Sequence, residues 1–397
     1  MLPGFKQKSL LRALIFVFYF SCQTKNDKQA MYNTLDGTAP IVIAHRGASG
    51  LRPEHTLESY SLAIEQGADY IECDLVMTKD SVLICRHEPM LSGTTDVAER
   101  SEFATKKTTK MVDGIAYEDW FASDFTLAEI KTLKARQAFA ERDQSYNGQF
   151  NIPTFEEVIN LIKTQSARKG RTIGIYPETK HPTFHENLGL HLTDSLISFL
   201  EREGWNHEKA PVFIQSFEVS NLLYIRKVKK STVKLVQLID GSGVDKDGKI
   251  LLEAPSGKPY DFVVSNDPRT YIDLVSDKGL DFINTYANAI GPWKPYIQPY
   301  TYEDKNDDGV PDDINYDGVV NDSDCSMLPS TDLVELAHRK GLLVHPFTFR
   351  NESRRLLKEY NNDPKNEYKN FYNLGVDGVF SDFTGTAVEA RKEMWSP

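Results

Sequence analysis

The chain has 397 residues, 40% hydrophobic and 26% charged, the proportions of a globular protein with one large domain or two average ones. Its 46 Lys and Arg against 57 Asp and Glu give a net charge of −11, which argues against a nucleic-acid binder drawing affinity from phosphate neutralisation. Beyond the first twenty or so residues, no apolar run reaches the ~18 needed to cross a bilayer as a helix.

Residues 1–21 carry Lys6, Lys8 and Arg12 without an acid, then the apolar stretch from Ala13 to Phe20, then Ser21 and Cys22. That order reads as an export signal. A Cys directly after a short apolar core and one small residue resembles the bacterial lipoprotein signal, with acylation at Cys22 and Tyr19 where the usual pattern prefers Leu. The expectation is an exported protein, periplasmic or tethered to the outer membrane, whose membrane contact runs only through that lipid. Residues 22–38 are polar and read as a tether.

From residue 39 to 397 the pattern is one α/β domain, short β-rich runs alternating with amphipathic stretches. Eight runs stand out: Ile41–Ala44, Tyr70–Leu75, Val82–Arg86, Thr172–Tyr176, Val212–Gln215, Lys234–Leu238, Leu342–Pro346 and Gly378–Phe380. Eight parallel strands suit a TIM barrel. Thr56 is a candidate cap for a helix with Leu57, Tyr60 and Ile64 on one side and Gly67 as its stop. Thr154 with Glu157 predicts a capping box, after which Phe155, Val158, Ile159 and Ile162 share a face. A third helix is predicted from about Thr331 to Lys340, ending at Gly341. Two insertions, about 91–150 and 240–330, interrupt the alternation and are expected beside the active face, because βα loops leave the carboxyl ends of the strands. No CxxC spacing occurs among Cys22, Cys73, Cys85 and Cys325, which disfavours a zinc or thioredoxin-type site and leaves Cys73 and Cys85 as small buried residues or a pair.

Polar residues gather where the strand runs stop: His45-Arg46-Gly47, Glu72-Cys73-Asp74, His87-Glu88 and Glu178-Thr179-Lys180. In a barrel these ends share one mouth, and strand alternation puts Glu72 with Asp74, and Glu178 with Lys180, on common sides. Three converging carboxylates need a cation, and oxygen-only ligands select Ca²⁺ or Mg²⁺ over zinc. Such a cation with Arg46 and Lys180 would neutralise a phosphodiester, and His45 and His87 would divide the proton work. His181, His185 and His207 read as structural histidines.

These runs, with Arg52-Pro53-Glu54-His55-Thr56, Gln215-Ser216-Phe217, the segment from Val344 to Arg350 and the segment from Gly375 to Asp382, resemble the glycerophosphodiester phosphodiesterase family in its periplasmic form. The match spans roughly residues 40 to 385 in order. The resemblance implies a TIM barrel, catalytic histidines at His45 and His87, metal carboxylates at Glu72, Asp74 and Glu178, phosphate contacts at Arg46 and Lys180, Gln215 in the pocket lining and Glu54 in support. It further implies metal-dependent hydrolysis of a small glycerophosphodiester to glycerol 3-phosphate and an alcohol, by attack of the glycerol 2-hydroxyl and opening of a cyclic phosphate by water. Many members carry Asp where this chain has Glu88, which keeps the carboxylate but lengthens its reach. Rival readings are a lysophospholipase D or phospholipase-C-like lyase on the same barrel, which needs an apolar channel, and a binding protein without turnover.

A second acidic region follows. Asp304, Asn306, Asp308 and Asp312 stand at positions 1, 3, 5 and 9 of a short loop with Gly309 at position 6, and Asp313, Asn315, Asp317, Gly318, Asn321 and Asp324 repeat the spacing nine residues later. The spacing is that of Ca²⁺ loops and resembles those of dockerins and thrombospondin repeats, so structural calcium is expected over 304–324, the other reading being a solvated acidic insertion. The loop is expected near a pocket rimmed by Trp293, Tyr296 and Tyr302.

Overall fold

The structure is a computed structural model and describes residues 1, 3–4, 32–307 and 309–395. Most of the signal segment, Cys22 and residues 23–31 of the tether, and Asp308 of the acidic loop, lie outside the described residues. Among those described, no helix is long and apolar enough to cross a membrane.

Eight parallel strands form a nearly closed barrel: β1 (Ile41–Ala44), β2 (Tyr70–Met77), β3 (Gly174–Thr179), β4 (Phe213–Ser216), β5 (Lys234–Ile239), β6 (Ala289–Pro292), β7 (Leu343–Val344) and β8 (Gly378–Ser381). Neighbours in the chain are neighbours in the sheet, and β8 pairs with β1 from Ile41 opposite Gly378 to Ala44 opposite Ser381. The seam between β7 and β8 is held by Asp377, whose amide donates to the Val344 carbonyl at 2.9 Å while its carboxylate accepts from the Val344 amide at 2.7 Å.

Seven of the eight expected runs are barrel strands; Val82–Arg86 is not. Leu83–Cys85 runs antiparallel to β2, with Leu75 opposite Cys85 and Met77 opposite Leu83. Only residues 78–82 join the two, enough for a tight turn with Ser81 in the left-handed region at φ 62° but far too short for a parallel crossover. The missing barrel strand is Ala289–Pro292, inside the stretch read as one insertion over 240–330. That stretch is two excursions, one after β5 and one after β6. The 91–150 region follows the antiparallel strand and carries a hairpin, Thr108–Val112 against Ile115–Asp119.

The three predicted helices form. In α1 (Leu57–Gln66) the Thr56 hydroxyl accepts from the Ser59 amide, and Gly67 closes it at φ 104°. In α2 (Phe155–Lys169) Thr154 and Glu157 make the reciprocal capping box, and the buried face is Phe155, Val158, Ile159 and Ile162. α3 (Leu333–Arg339) precedes Gly341 at φ 76°.

Inside the barrel, Ile43, Tyr176, Phe213, Val236, Ala289 and Phe380 pack as one apolar plug, with Tyr176 stacked on Phe213 at 4.9 Å. Because inward side chains recur every second residue, the strands that supply this plug supply polar groups two positions later. Ile43 is followed by His45, Tyr176 by Glu178, Phe213 by Gln215 and Phe380 by Asp382, while Tyr70 is followed by Glu72 and Asp74. The plug is the floor of the site.

Candidate active site

Register brings the carboxylates together: Asp74 lies opposite Glu178, and Glu178 opposite Gln215. One oxygen from each of Glu72, Asp74 and Glu178 falls within 4.8 Å of the others, and all three residues are buried. Burial, then the neighbouring Asp74, pushes Glu72 well above the usual carboxylate range. Burial likewise raises Glu178, with Asp74 adding to it and Lys180 pulling the other way. Asp74 goes down despite its burial, because His55 Nε2 stands 2.8 Å from its Oδ2. Three carboxylates that cannot all ionise in one dry site are relieved by a cation. A further observation fits one: Gln215 Nε2 donates to Glu72 Oε1 at 3.3 Å, but Gln215 Oε1 is buried without a hydrogen-bond partner beside the trio. The donors are all oxygens, which suits a hard divalent ion.

Two cations flank the trio. The Arg46 amide donates to Glu72 Oε2 at 2.6 Å, and its guanidinium contacts Glu54 at 3.0 Å and lies 3.5 Å from Asp74. Arg46 and His55 both adopt left-handed backbone, φ 58° and 55°, and are tied by the His55 amide donating to the Arg46 carbonyl. Despite burial, Arg46 and then His55 hold Glu54 at about 2, so this carboxylate keeps the guanidinium in place. Lys180 Nζ is 3.0 Å from Glu178 Oε1 and 3.3 Å from His87 Nε2.

Each histidine is oriented through Nδ1 by a carboxylate. His45 Nδ1 lies 2.6 Å from Asp382 Oδ1, and Asp382 Oδ2 accepts from Arg142 at 2.6 Å and Arg350 at 3.0 Å. His87 Nδ1 lies 2.6 Å from Glu88 Oε1. Burial, then Arg46, lowers His45, with Asp382 opposing. Burial, Arg46 and Lys180 bring His87 down to about 4, so at neutral pH it is a free base. The trio's Glu178, both histidines, Arg46, Lys180 and Gln215 line a cavity of about 680 Å³, whose lining also includes Phe217, Tyr271 and Trp293.

Several contributors went unassigned in the sequence. Asp382 lies two residues beyond the plug residue Phe380, a position that alternation would have placed inward. His55 sits in the Arg52–Thr56 run, where the sequence alone suggests no role for it. Arg142 comes from the 91–150 insertion, far from any strand, and nothing local marks it. His181, which the sequence marks as structural, lines the cavity, its Nδ1 2.7 Å from Asp113 Oδ2 and its Nε2 3.4 Å from Glu88 Oε2. His185 is packed, with its Nδ1 on the carbonyls of Lys180 and His181 and its Nε2 accepting from the Met77 amide, and His207 is exposed. Cys73, Cys85 and Cys325 are buried free thiols.

The acidic loop is built of side chains turned onto its own backbone. Asp304 accepts from the Gly309 amide and Asp312 from that of Lys305; Asp313 accepts from Asp317 and Gly318, Asn315 from Asp317, Asn321 from Ser323 and Asp324 from Ile314. Asn306 is exposed in the loop, and the Asp317 carboxylate accepts from the Val319 amide. Among the described residues, the barrel trio is the one group of three or more His, Cys, Asp or Glu side chains gathered at metal-ligand spacing. Of the expected aromatic rim, Trp293 lines the cavity, whereas the buried Tyr296 hydroxyl donates to the Asp240 carbonyl and that of Tyr302 to Gly309.

Asp382→Asn leaves the Arg142 and Arg350 guanidiniums facing a neutral amide in a buried site. The expected loss is about 3–5 kcal/mol of stability, read from denaturant unfolding at neutral pH. Arg350, His45 and Arg142 hold Asp382 well below its ordinary value despite burial. A depressed folded value means its stabilisation is present above the unfolded pKa of ~3.9 and fades as pH falls through the folded one, so the wild-type and variant curves converge in acid.

A family model described as the glycerophosphoryl diester phosphodiesterase family matches residues 45–386. The glycerophosphodiester phosphodiesterase GDPD6 of Arabidopsis thaliana is 39% identical over 383 residues, covering 93% of this chain and 90% of that protein. A glycerophosphodiester phosphodiesterase of Haemophilus influenzae is 31% identical over 381 residues, covering 91% and 92%. The barrel superposes on an Oleispira antarctica phosphodiesterase solved with the product sn-glycerol-3-phosphate, with a TM-score of 0.51, 20% identity and coverage of 90% and 98%.

Proposed function

The chain belongs to the glycerophosphoryl diester phosphodiesterase family, and we propose that it hydrolyses small glycerophosphodiesters to glycerol 3-phosphate and a free alcohol with His45 and His87 as its proton-transfer groups. The observation that carries this reading is the pair of carboxylate-oriented histidines lining one cavity with Glu178, which belongs to a cluster of three buried carboxylates. The product bound by the Oleispira enzyme supports the same substrate class.

Glu72, Asp74 and Glu178, with Gln215 beside them, would hold a divalent cation, Ca²⁺ or Mg²⁺, which when bound supplies charge neutralisation at the phosphoryl oxygens. Arg46 and Lys180 add fixed positive charge at the same place, the contribution usually largest where charge builds up in the transition state. His87, held as a free base, takes the proton of the glycerol 2-hydroxyl as its oxygen attacks phosphorus. The bond from phosphorus to the alcohol oxygen breaks, and His45 gives that oxygen a proton; its pKa is lowered by burial and Arg46, and the arriving anionic diester raises it again. Water then opens the cyclic phosphate with the two roles exchanged: His45 takes a proton from the attacking water and is restored, and His87 returns its proton to the glycerol 2-oxygen as the bond from phosphorus to that oxygen breaks.

A second reading has a specific observation behind it. A groove of about 620 Å³ walled by Leu252, Pro255, Tyr260, Phe262 and Val263 adjoins the cavity, sharing Asp113, Ile115, Pro255, Lys258 and Tyr260 with it. Such a groove suits an acyl chain, and with it a lysophospholipid substrate. Phosphorus NMR of parallel reactions on glycerophosphocholine and lysophosphatidylcholine separates the readings. Glycerol 3-phosphate as the main product from the short diester is expected; exclusive turnover of the lysolipid favours the second reading, and no turnover of either overturns both.

A further inference from the structure

His87 and His45 are oriented alike but backed differently. Asp382, behind His45, is held by two guanidiniums, which carry their charge at any working pH. Glu88, behind His87, has no guanidinium or lysine within salt-bridge distance among the described residues; its second oxygen meets His181. His181 in turn reaches Asp113 at 2.7 Å, so a line runs from Asp113 through His181 and Glu88 to His87.

We propose that His181, fixed by Asp113 at the tip of the 108–119 hairpin, is a positioning residue for His87, acting through Glu88, so that the hairpin completes the active site.

Backbone conformation supports the assignment independently. His181 lies in the left-handed region at φ 42° immediately before Pro182, a conformation that side-chained residues adopt rarely, and pre-proline sterics add to the restriction. Asp113 is also left-handed, φ 47°, followed by Gly114 at φ 82° in the two-residue turn. Local sterics do not favour His181 there; its hydrogen bonds to Asp113 and Glu88 hold it in place. The hairpin is seated by Val112, which packs with Phe121 and Phe184. The extra methylene of Glu88 over Asp lets one carboxylate bridge both imidazoles. Against its burial, hydrogen bonds to Asp113 and Glu88 raise His181 to about 9, so it is an imidazolium at neutral pH. The groups that face it are Asp113 from the hairpin, Glu88 from the segment after the antiparallel strand, Lys180 beside it and His185 one helical turn on.

The inference rests on His87 acting as proton acceptor, and the test separates the two. Steady-state kinetics from pH 6 to 10 are compared for wild type, His181→Gln, His181→Arg, Asp113→Asn, Glu88→Gln, the His181→Gln/Glu88→Gln double variant and His87→Ala, with melting curves for each. His181→Gln is expected to lower kcat about tenfold with KM changed no more than about twofold, the lower end of what partners behind an active residue contribute. His181→Arg should recover most of that loss, Asp113→Asn should lower kcat in the same direction, and the His181 effect should vanish in the Glu88→Gln background. Wild-type kcat should fall as pH rises through about 9, and His181→Gln should lack that limb. Wild-type kcat in His181→Gln, or a loss undiminished without Glu88, overturns the inference. Full turnover by His87→Ala would instead overturn the reading on which it rests.

Discussion

His45→Ala and His87→Ala each lower kcat on glycerophosphodiesters with alkyl leaving groups by about 10²–10⁴-fold, the range a positioned acid or base contributes. The two variants differ in what rescues them. His45 is assigned the leaving oxygen, so a nitrophenyl diester, whose alcohol departs without a proton, should restore most of the His45→Ala rate and little of the His87→Ala rate. The pH profile should show the same division. His87 is a free base down to about pH 4, because burial, Arg46 and Lys180 all disfavour its charged form, so the acid limb assigned to it lies below the ordinary histidine value of ~6.5. Both variants are expected to keep the fold, since each imidazole lines an open cavity, and unchanged melting curves would show it.

Chelation carries the other large effect. The site gathers three carboxylates above an apolar plug, and burial raises two of them. A divalent ion there is worth several kcal/mol in the transition state, so thorough removal should lower kcat by about 10³-fold or more, and Ca²⁺ or Mg²⁺ should restore it. Asp74→Asn should behave like the stripped enzyme at every ion concentration. Its neighbour His55 then loses its ionised partner as well, so the defect exceeds the loss of one ligand oxygen.

Much of this arrangement is legible in the chain because two simple periodicities govern it. Seven strands show as β-branched or aromatic runs, and Thr154 with Glu157 marks a helix start before any packing is known. Ala289–Pro292 escaped because Ala, Gly and Pro carry no strand signal; its place is fixed by pairing with Val236 to Ile239 on one side and Leu343 and Val344 on the other. Val82–Arg86 misled because composition reports a strand but not its direction. The five-residue link before Leu83 carried that information. In the site, alternation places Glu72, Asp74, Glu178 and Gln215, whereas Arg142 and Asp113 arrive on an insertion whose path depends on tertiary packing. His181 illustrates the limit best, since a lone histidine after Lys180 acquires meaning only when the hairpin brings Asp113 to it.

The proposed mechanism needs one divalent ion at Glu72, Asp74 and Glu178 for phosphodiester cleavage. Chelator-stripped enzyme titrated with Ca²⁺ or Mg²⁺, with bound ion and phosphorus NMR turnover followed together, tests it directly. Turnover is expected to rise with occupancy, and Asp74→Asn to saturate with one ion fewer per chain and stay inactive. Full turnover in stripped enzyme, or equal ion binding by wild type and Asp74→Asn, would contradict it.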